Sequence, residues 1–242
     1  MKEIEESSLY PIVEKWLKEY HLCFHATKQK MLKIYSQNGK EKAYGRIDVV
    51  GVRDIGGDLS GEVETIVVEV KKGNEPFGRA SGQTLGYKVY ANRVYLADLR
   101  DGRFDPDEIS IANKLGIGLV QIKNGNCEEV LSSPYYEPVP KLNCLLLENL
   151  ALGKCQLCDS FFEIGNFGKK KFDNLIRIED NKKAFSQMEN AVKQGKGLMF
   201  WNTKVAKRKD KIGIKKLGKY KSYERRFICP DCVILLNPPI KK

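Results

Sequence analysis

Three side chains in this 242-residue sequence have the types and spacing to do chemistry on a phosphate. Asp48 stands in the run YGRIDVVGV (44–52), and Glu69 and Lys71 stand in ETIVVEVKK (64–72). Both runs are rich in β-branched residues and bracket the turn-rich stretch 54–61, which predicts a β-hairpin. A symmetric closure sets Arg53 opposite Glu62 and Asp48 opposite Val67, with Glu69 two residues along. Residues two apart on a strand share a face, and parity places Asp48 with Glu69 and Lys71. Two carboxylates and an amine then converge. Hard oxygen ligands of this kind suit Mg²⁺ (or Mn²⁺), and a lysine beside the ion can orient or help deprotonate an attacking water. Val67, Val68, Val70 and the run 49–52 predict strands buried on both faces, where carboxylates without a partner would be costly.

The pattern Arg46-Ile-Asp48, twenty residues, then Glu69-Val-Lys71 resembles the PD-(D/E)XK nuclease superfamily, the restriction-endonuclease-like fold, over about residues 1–125. Ile47 stands where the name-giving proline would be. The resemblance implies phosphodiester hydrolysis, with Asp48 and Glu69 as Mg²⁺ ligands and Lys71 as the catalytic lysine. Gln83-Thr-Leu-Gly-Tyr87, which begins fourteen residues past Glu69, is similar to the Q-x-x-x-Y motif of the RecB-like branch. There the Gln belongs to the active site and the Tyr faces the site and DNA.

Several elements must position these groups. Leu9, Ile12, Val13, Trp16, Leu17 and Tyr20 recur at three- and four-residue intervals, which predicts an amphipathic helix over 7–20. A first strand is expected between Phe24 and Ser36. A helix over 77–92, a strand over 93–98, a helix over 107–115 ended by Gly116 and a strand over 118–122 follow. This order predicts an α/β fold with a mixed central sheet flanked by helices. The family often adds an acidic residue from the first helix. At ~100° per residue Glu6 lies about 50° from the mean apolar direction and Glu14 roughly 130° from it, so Glu6 is the candidate.

Cys155-Gln-Leu-Cys158 and Cys229-Pro-Asp-Cys232 are two C-x₂-C knuckles, the ligand set of a structural Zn²⁺ site. An iron–sulfur cluster, carried by some RecB-like nucleases, ranks second. The seventy residues between the knuckles must hold an inserted subdomain. Cys23, Cys127 and Cys144 read as small buried hydrophobes. His21 and His25 lack further ligands nearby and read as core or surface residues.

Charge divides the chain. Residues 1–150 carry 20 basic and 22 acidic side chains, and residues 151–242 carry 22 and 9, so the net +11 belongs to the C-terminal part. Lys204, Lys207, Arg208, Lys209, Lys211, Lys215, Lys216, Lys219, Lys221, Arg225 and Arg226 form a basic stretch with interleaved Ile, Leu and Tyr, as phosphate contacts to DNA would require. The expected organisation is a nuclease domain at 1–132, a Pro-rich connecting segment at 133–150 and a small, basic, four-cysteine zinc-binding domain at 151–242. The function expected is a Mg²⁺-dependent DNA endonuclease of restriction type, acting on double-stranded DNA and favouring a homodimer. Repair or junction processing, and nucleic-acid binding without turnover, are the alternatives. No apolar stretch reads as a signal peptide or membrane span, so a cytoplasmic protein is expected.

Overall fold

The valine-rich runs pair in the computed structural model, which describes residues 5–35, 41–56, 62–165, 172–178, 184–201 and 225–236. Strands β1 (His25–Tyr35), β2 (Glu41–Asp54), β3 (Val63–Lys71), β4 (Arg93–Leu99), β5 (Gly118–Lys123) and β6 (Asn126–Leu131) form one sheet in that order. The β2–β3 and β5–β6 pairs are antiparallel, whereas β3–β4 and β4–β5 are parallel. The sheet is therefore mixed, with β3 and β4 at its centre.

The hairpin register differs from the symmetric expectation. Arg53 pairs with Glu64 and Asp54 with Val63, not Arg53 with Glu62. The connection takes up more residues on its C-terminal side, which shifts every pair by two. An even shift preserves parity. Pairing runs back to Val49↔Val68 and stops there, just before Asp48.

Helix α1 (Tyr10–Glu19) buries Tyr10, Val13, Trp16 and Leu17 in a cluster with Val49, Ile66, Val68, Val70, Tyr95, Val120 and Ile122. It starts later than expected, because Pro11 is pre-set for the first helical turn and Glu6–Ser8 form a separate 3₁₀ turn. Helix α2 (Phe77–Gly86) ends six residues short of the expected limit, and a 3₁₀ turn at Tyr87–Val89 leads into β4. Helix α3 (Pro106–Leu115) opens on the Asp105–Glu108 capping box and stops at Gly116, whose φ of 63° is left-handed. An alanine Cβ there would lie 1.7 Å from the Tyr136 hydroxyl, so glycine is required twice over. Strand β6 goes beyond the expected elements. Its signal is Asn124-Gly125, at φ of 50° and 75°, the residue pair of a two-residue hairpin turn.

The expected connecting segment contains helix α4 (Pro140–Asn149). Its start is tied to the sheet, since Asn143 Nδ2 donates to Thr65 Oγ1 at 2.9 Å and to the Tyr90 carbonyl at 2.8 Å. The chain divides into two compact units. One comprises Met1–Leu32, Gly45–Gly57 and Val63–Leu146, and the other Lys33–Tyr44, Asp58–Glu62 and Leu147–Lys242. In the second, β7 (Leu152–Lys154) and β8 (Phe161–Glu163) form a hairpin. A three-stranded sheet places β10 (Gly197–Trp201) between β9 (Leu175–Ile178) and β11 (Arg225–Ile228). Helices α5 (Ala184–Gln194) and α6 (Pro230–Leu236) contribute Ala191 and Val233 to a core shared with Leu198, Ile228 and three cysteines. The sequence predicts a helix over 181–194; α5 accounts for 184–194, and 181–183 lie outside the described residues. No described helix is long and apolar enough to cross a membrane.

One buried histidine belongs to the sheet unit. His21 is packed edge-on against Trp16, with ring centroids 4.6 Å apart, and its Nε2 lies 3.5 Å from Glu129 Oε2. Burial depresses its pKa from 6.5 to about 4, and the Glu129 carboxylate only partly opposes this. The imidazole folds neutral, so its contribution is complete above the unfolded value and is lost as pH falls from 6.5 through 4. Between pH 7 and pH 4, wild type should lose about 3 kcal/mol more unfolding free energy than His21→Phe. Urea denaturation at the two pH values measures the difference, and parallel losses would refute it.

Candidate functional site

Asp48 sits where β2 and β3 part. With backbone pairing ended at Val49, its Oδ2 accepts the Val70 N–H at 3.0 Å. Oδ1 accepts the hydroxyl of Tyr10, on the first turn of α1, at 3.1 Å. Glu69 and Lys71 alternate with Val68 and Val70, which pack with α1, so they leave the opposite side of β3. There the Lys71 ammonium donates to Glu69 Oε1 at 2.6 Å, and the Tyr87 hydroxyl lies 2.6 Å from Glu69 Oε2. The same hydroxyl lies 2.8 Å from the Arg46 carbonyl, tying the end of α2 to β2. Glu6 completes the set. Its Oε1 lies 3.2 Å from the Tyr10 hydroxyl, and its Oε2 lies 3.9 Å from Lys71 Nζ.

The fold thus brings together Glu6, Asp48, Glu69, Lys71 and Tyr87 from four separate elements. Glu14 points elsewhere and pairs with Lys18 at 2.9 Å. Gln83 lies one turn before Tyr87, exposed, and no hydrogen bond joins it to these carboxylates among the described residues. Tyr10 is a site residue that sequence reasoning misses, because it is not among the periodic apolar positions that mark the first helix. Its nearest local partner is Glu6, four residues before it in the preceding 3₁₀ turn.

Electrostatics mark the cluster as unusual. Asp48, Glu69 and Lys71 are 7 %, 4 % and 7 % exposed, so all three ionisable groups are withdrawn from water. Burial raises the pKa of Asp48, and Glu6 adds to the shift, against the bonds from Val70 and Tyr10. Burial likewise raises Glu69, reinforced by the Asp48 charge and opposed by Lys71 and Tyr87. Burial alone would lower Lys71, but its bond to Glu69 and the surrounding carboxylates outweigh that and hold it above the ordinary lysine value. Lys71 is therefore an ammonium at neutral pH.

The second unit holds the four thiols. Cys155, Cys158, Cys229 and Cys232 have sulfurs all within 4.8 Å of one another. Cys158 Sγ and Cys229 Sγ are 3.7 Å apart, close to the about 3.8 Å edge of a tetrahedron with metal–sulfur bonds of about 2.3 Å. The backbone N–H groups of Leu157 and Cys229 point at Cys155 Sγ, at 3.5 and 3.3 Å, and orient it as outer-shell donors orient metal ligands. A parallel bridge between Cys155 and Phe227 brings the two knuckles together. These four cysteines form a group that can hold a structural metal. Glu6, Asp48 and Glu69 do not close to the same spacing as a set of three. Of the other cysteines Cys23 is buried, Cys127 is half-buried and Cys144, expected to be buried, lies on the exposed side of α4.

Most of the basic stretch, including Lys204, Lys207, Arg208, Lys209, Lys211, Lys215, Lys216, Lys219 and Lys221, lies outside the described residues. Arg225 and Arg226 start β11, paired with Trp201 and Phe200, and the Arg226 side chain is exposed.

Fold and sites together define a mixed α/β protein with a buried carboxylate–lysine cluster in one unit and a four-cysteine group in the other. No family model matches the chain. No curated protein matches it either. Among solved structures it is similar to a protein of unknown function from Silicibacter pomeroyi, at 19 % identity over 60 % of this chain and 83 % of that chain, with a TM-score of 0.39. That likeness is too slight to assign a fold.

The raised carboxylates have a consequence for stability. A carboxyl whose folded pKa exceeds its unfolded value destabilises the fold as pH rises through the interval between them, and the full cost stands at neutral pH. Asparagine at position 48 keeps an acceptor for the Val70 N–H and an amide that the Tyr10 oxygen can accept from. In chelator at neutral pH, Asp48→Asn should melt above wild type, with the gap closing as pH falls to about 4, the ordinary Asp range. A melting series against pH checks this, and an unchanged or lower melting temperature at neutral pH would contradict it.

Proposed function

We propose that the chain is a Mg²⁺-dependent DNA endonuclease of the restriction-endonuclease-like fold, with a zinc-stapled C-terminal unit. The convergence of Asp48, Glu69, Lys71 and Glu6 at the parting of β2 and β3 carries this reading. Three carboxylates face one ammonium, and two of the three, Asp48 and Glu69, are shielded from water. The donor set, hard oxygens from two carboxylates, fits Mg²⁺ better than a softer ion. Asp48 and Glu69 would hold it. Bound there, the ion would activate water and stabilise charge on the phosphate.

The chain's own residues supply the rest. Lys71, charged and fixed by Glu69, cannot serve as a base as it stands; it can donate hydrogen bonds to an attacking water or to a non-bridging phosphate oxygen. Its charge then meets the charge that develops on the phosphate, in surroundings of low dielectric. Tyr87 holds Glu69 by its second oxygen and leaves the first for the lysine. Val70 fixes Asp48 from the backbone. Arg226 and the basic stretch before it would hold the DNA phosphates, adding affinity and a steep salt dependence. A restriction-type role fits a nuclease unit joined to its own DNA-holding unit.

Plasmid cleavage tests the reading. Wild type should cut with Mg²⁺ and not with chelator, and Asp48→Ala and Lys71→Ala should each lose about a hundredfold or more. Full activity in both variants would sink the assignment. For the second unit, Zn²⁺ is the ion proposed for the four thiols, on their tetrahedral spacing. Elemental analysis should find one zinc per chain, lost in a Cys155→Ser/Cys158→Ser variant. A purified protein with iron, or no metal, in its place would refute that part.

A further inference from the structure

We infer that Tyr10 is a positioning residue for the metal site, setting the orientation of Asp48 and linking it to Glu6. The inference rests on the reading of Asp48 and Glu69 as cation ligands. An aspartate carboxylate turns freely about its last bond unless both oxygens are held. Val70 N–H holds Oδ2 from the backbone of β3, and the Tyr10 hydroxyl holds Oδ1 from α1. With one donor on each oxygen the plane of the group is fixed, and each oxygen keeps a further lone pair for an ion.

Removing the hydroxyl releases one side only. Asp48 then keeps its backbone bond but can swing about it, and the ordering of its second oxygen falls to the ion itself. Partners of this outer kind typically alter metal affinity by about ten- to a hundredfold.

The link to Glu6 follows from proton counting. A phenol has one proton, yet Tyr10 lies within hydrogen-bond distance of two carboxylate oxygens, Asp48 Oδ1 at 3.1 Å and Glu6 Oε1 at 3.2 Å. It can serve only one fully at a time. Shared between the two, the proton holds Asp48 Oδ1 while keeping Glu6 Oε1 beside the site. Tyr10 is well placed for this because its ring is 4 % exposed in the α1 core and its backbone opens the helix, so the hydroxyl is delivered by a rigid element.

Tyr10→Phe keeps the ring and removes one oxygen. Isothermal titration with MgCl₂ should show about tenfold weaker binding to Tyr10→Phe than to wild type, and none to Asp48→Ala. Tyr20→Phe, on an exposed ring stacked on Trp16 and away from the carboxylates, should bind as wild type. In plasmid cleavage the Mg²⁺ concentration for half-maximal rate should rise about tenfold, while the rate at saturating Mg²⁺ stays within about twofold. Melting in chelator checks folding. Should Tyr10→Phe fail to fold, Glu6→Gln provides the second arm, with weaker Mg²⁺ binding expected through the same hydroxyl. Equal affinity in wild type and Tyr10→Phe would overturn the inference and leave the metal site standing. No Mg²⁺ binding by wild type would instead overturn the reading on which it rests.

Discussion

Two carboxylates buried side by side are the constraint around which the sheet unit is organised. Left unpaired in an apolar interior, each would cost several kcal/mol. Here every oxygen of Asp48 and Glu69 meets a donor, from Val70, Tyr10, Lys71 and Tyr87. Those donors come from both sides of the sheet, which explains several features at once. Strands β2 and β3 must part at Asp48 so that its carboxylate can take the place of a backbone acceptor. Helix α1 must start near Tyr10, and α2 must end near Tyr87. Even so, burial wins, and both carboxyls stay above their ordinary pKa values. Of these donors only Lys71 carries charge; the other three hold the carboxylates in place without neutralising them.

The charge balance of this cluster differs from that at another buried carboxylate of the unit. Glu64 is 1 % exposed and pairs with two guanidinium groups, Arg53 and Arg93. Two cations answer one carboxylate there, and the group joins β2, β3 and β4. At Asp48 and Glu69 the balance is reversed, with one ammonium for several carboxylates. On the proposed reading, that shortfall is what a bound cation would make good.

How much of this is legible in the sequence depends on the range of each signal. The carboxylates and lysine are readable because strand alternation is local, and a register two residues off leaves the faces unchanged. The splay of β2 from β3 is not readable, since no local pattern says where a ladder stops. Tyr10 is hidden for a related reason: it stands outside the periodic apolar set of the first helix, and the hydroxyl's partner lies thirty-eight residues away. Helix α4 is masked by the proline-rich run before it, although Pro140 itself opens the helix. Strand β6 carries a local signal in Asn124-Gly125, but the strand beyond it, NCEEVL, is too polar to stand out by hydrophobicity. The four cysteines are readable from spacing alone, because a knuckle is a local structure and only their meeting is not.

On the proposed reading the distribution of charge follows from the same constraint. A site that keeps excess negative charge to hold a cation repels a polyanion until that cation is bound, and the 1–150 part, with 20 basic and 22 acidic side chains, supplies little to offset this. On the proposed reading the attraction must come from elsewhere in the chain, and the 22 basic against 9 acidic residues of 151–242 are where it is found. The four-cysteine group belongs to the same second unit. Described strands in that unit run to only three to five residues each, and a metal cross-link between the β7–β8 hairpin and the start of α6 would supply stability that so small a core lacks.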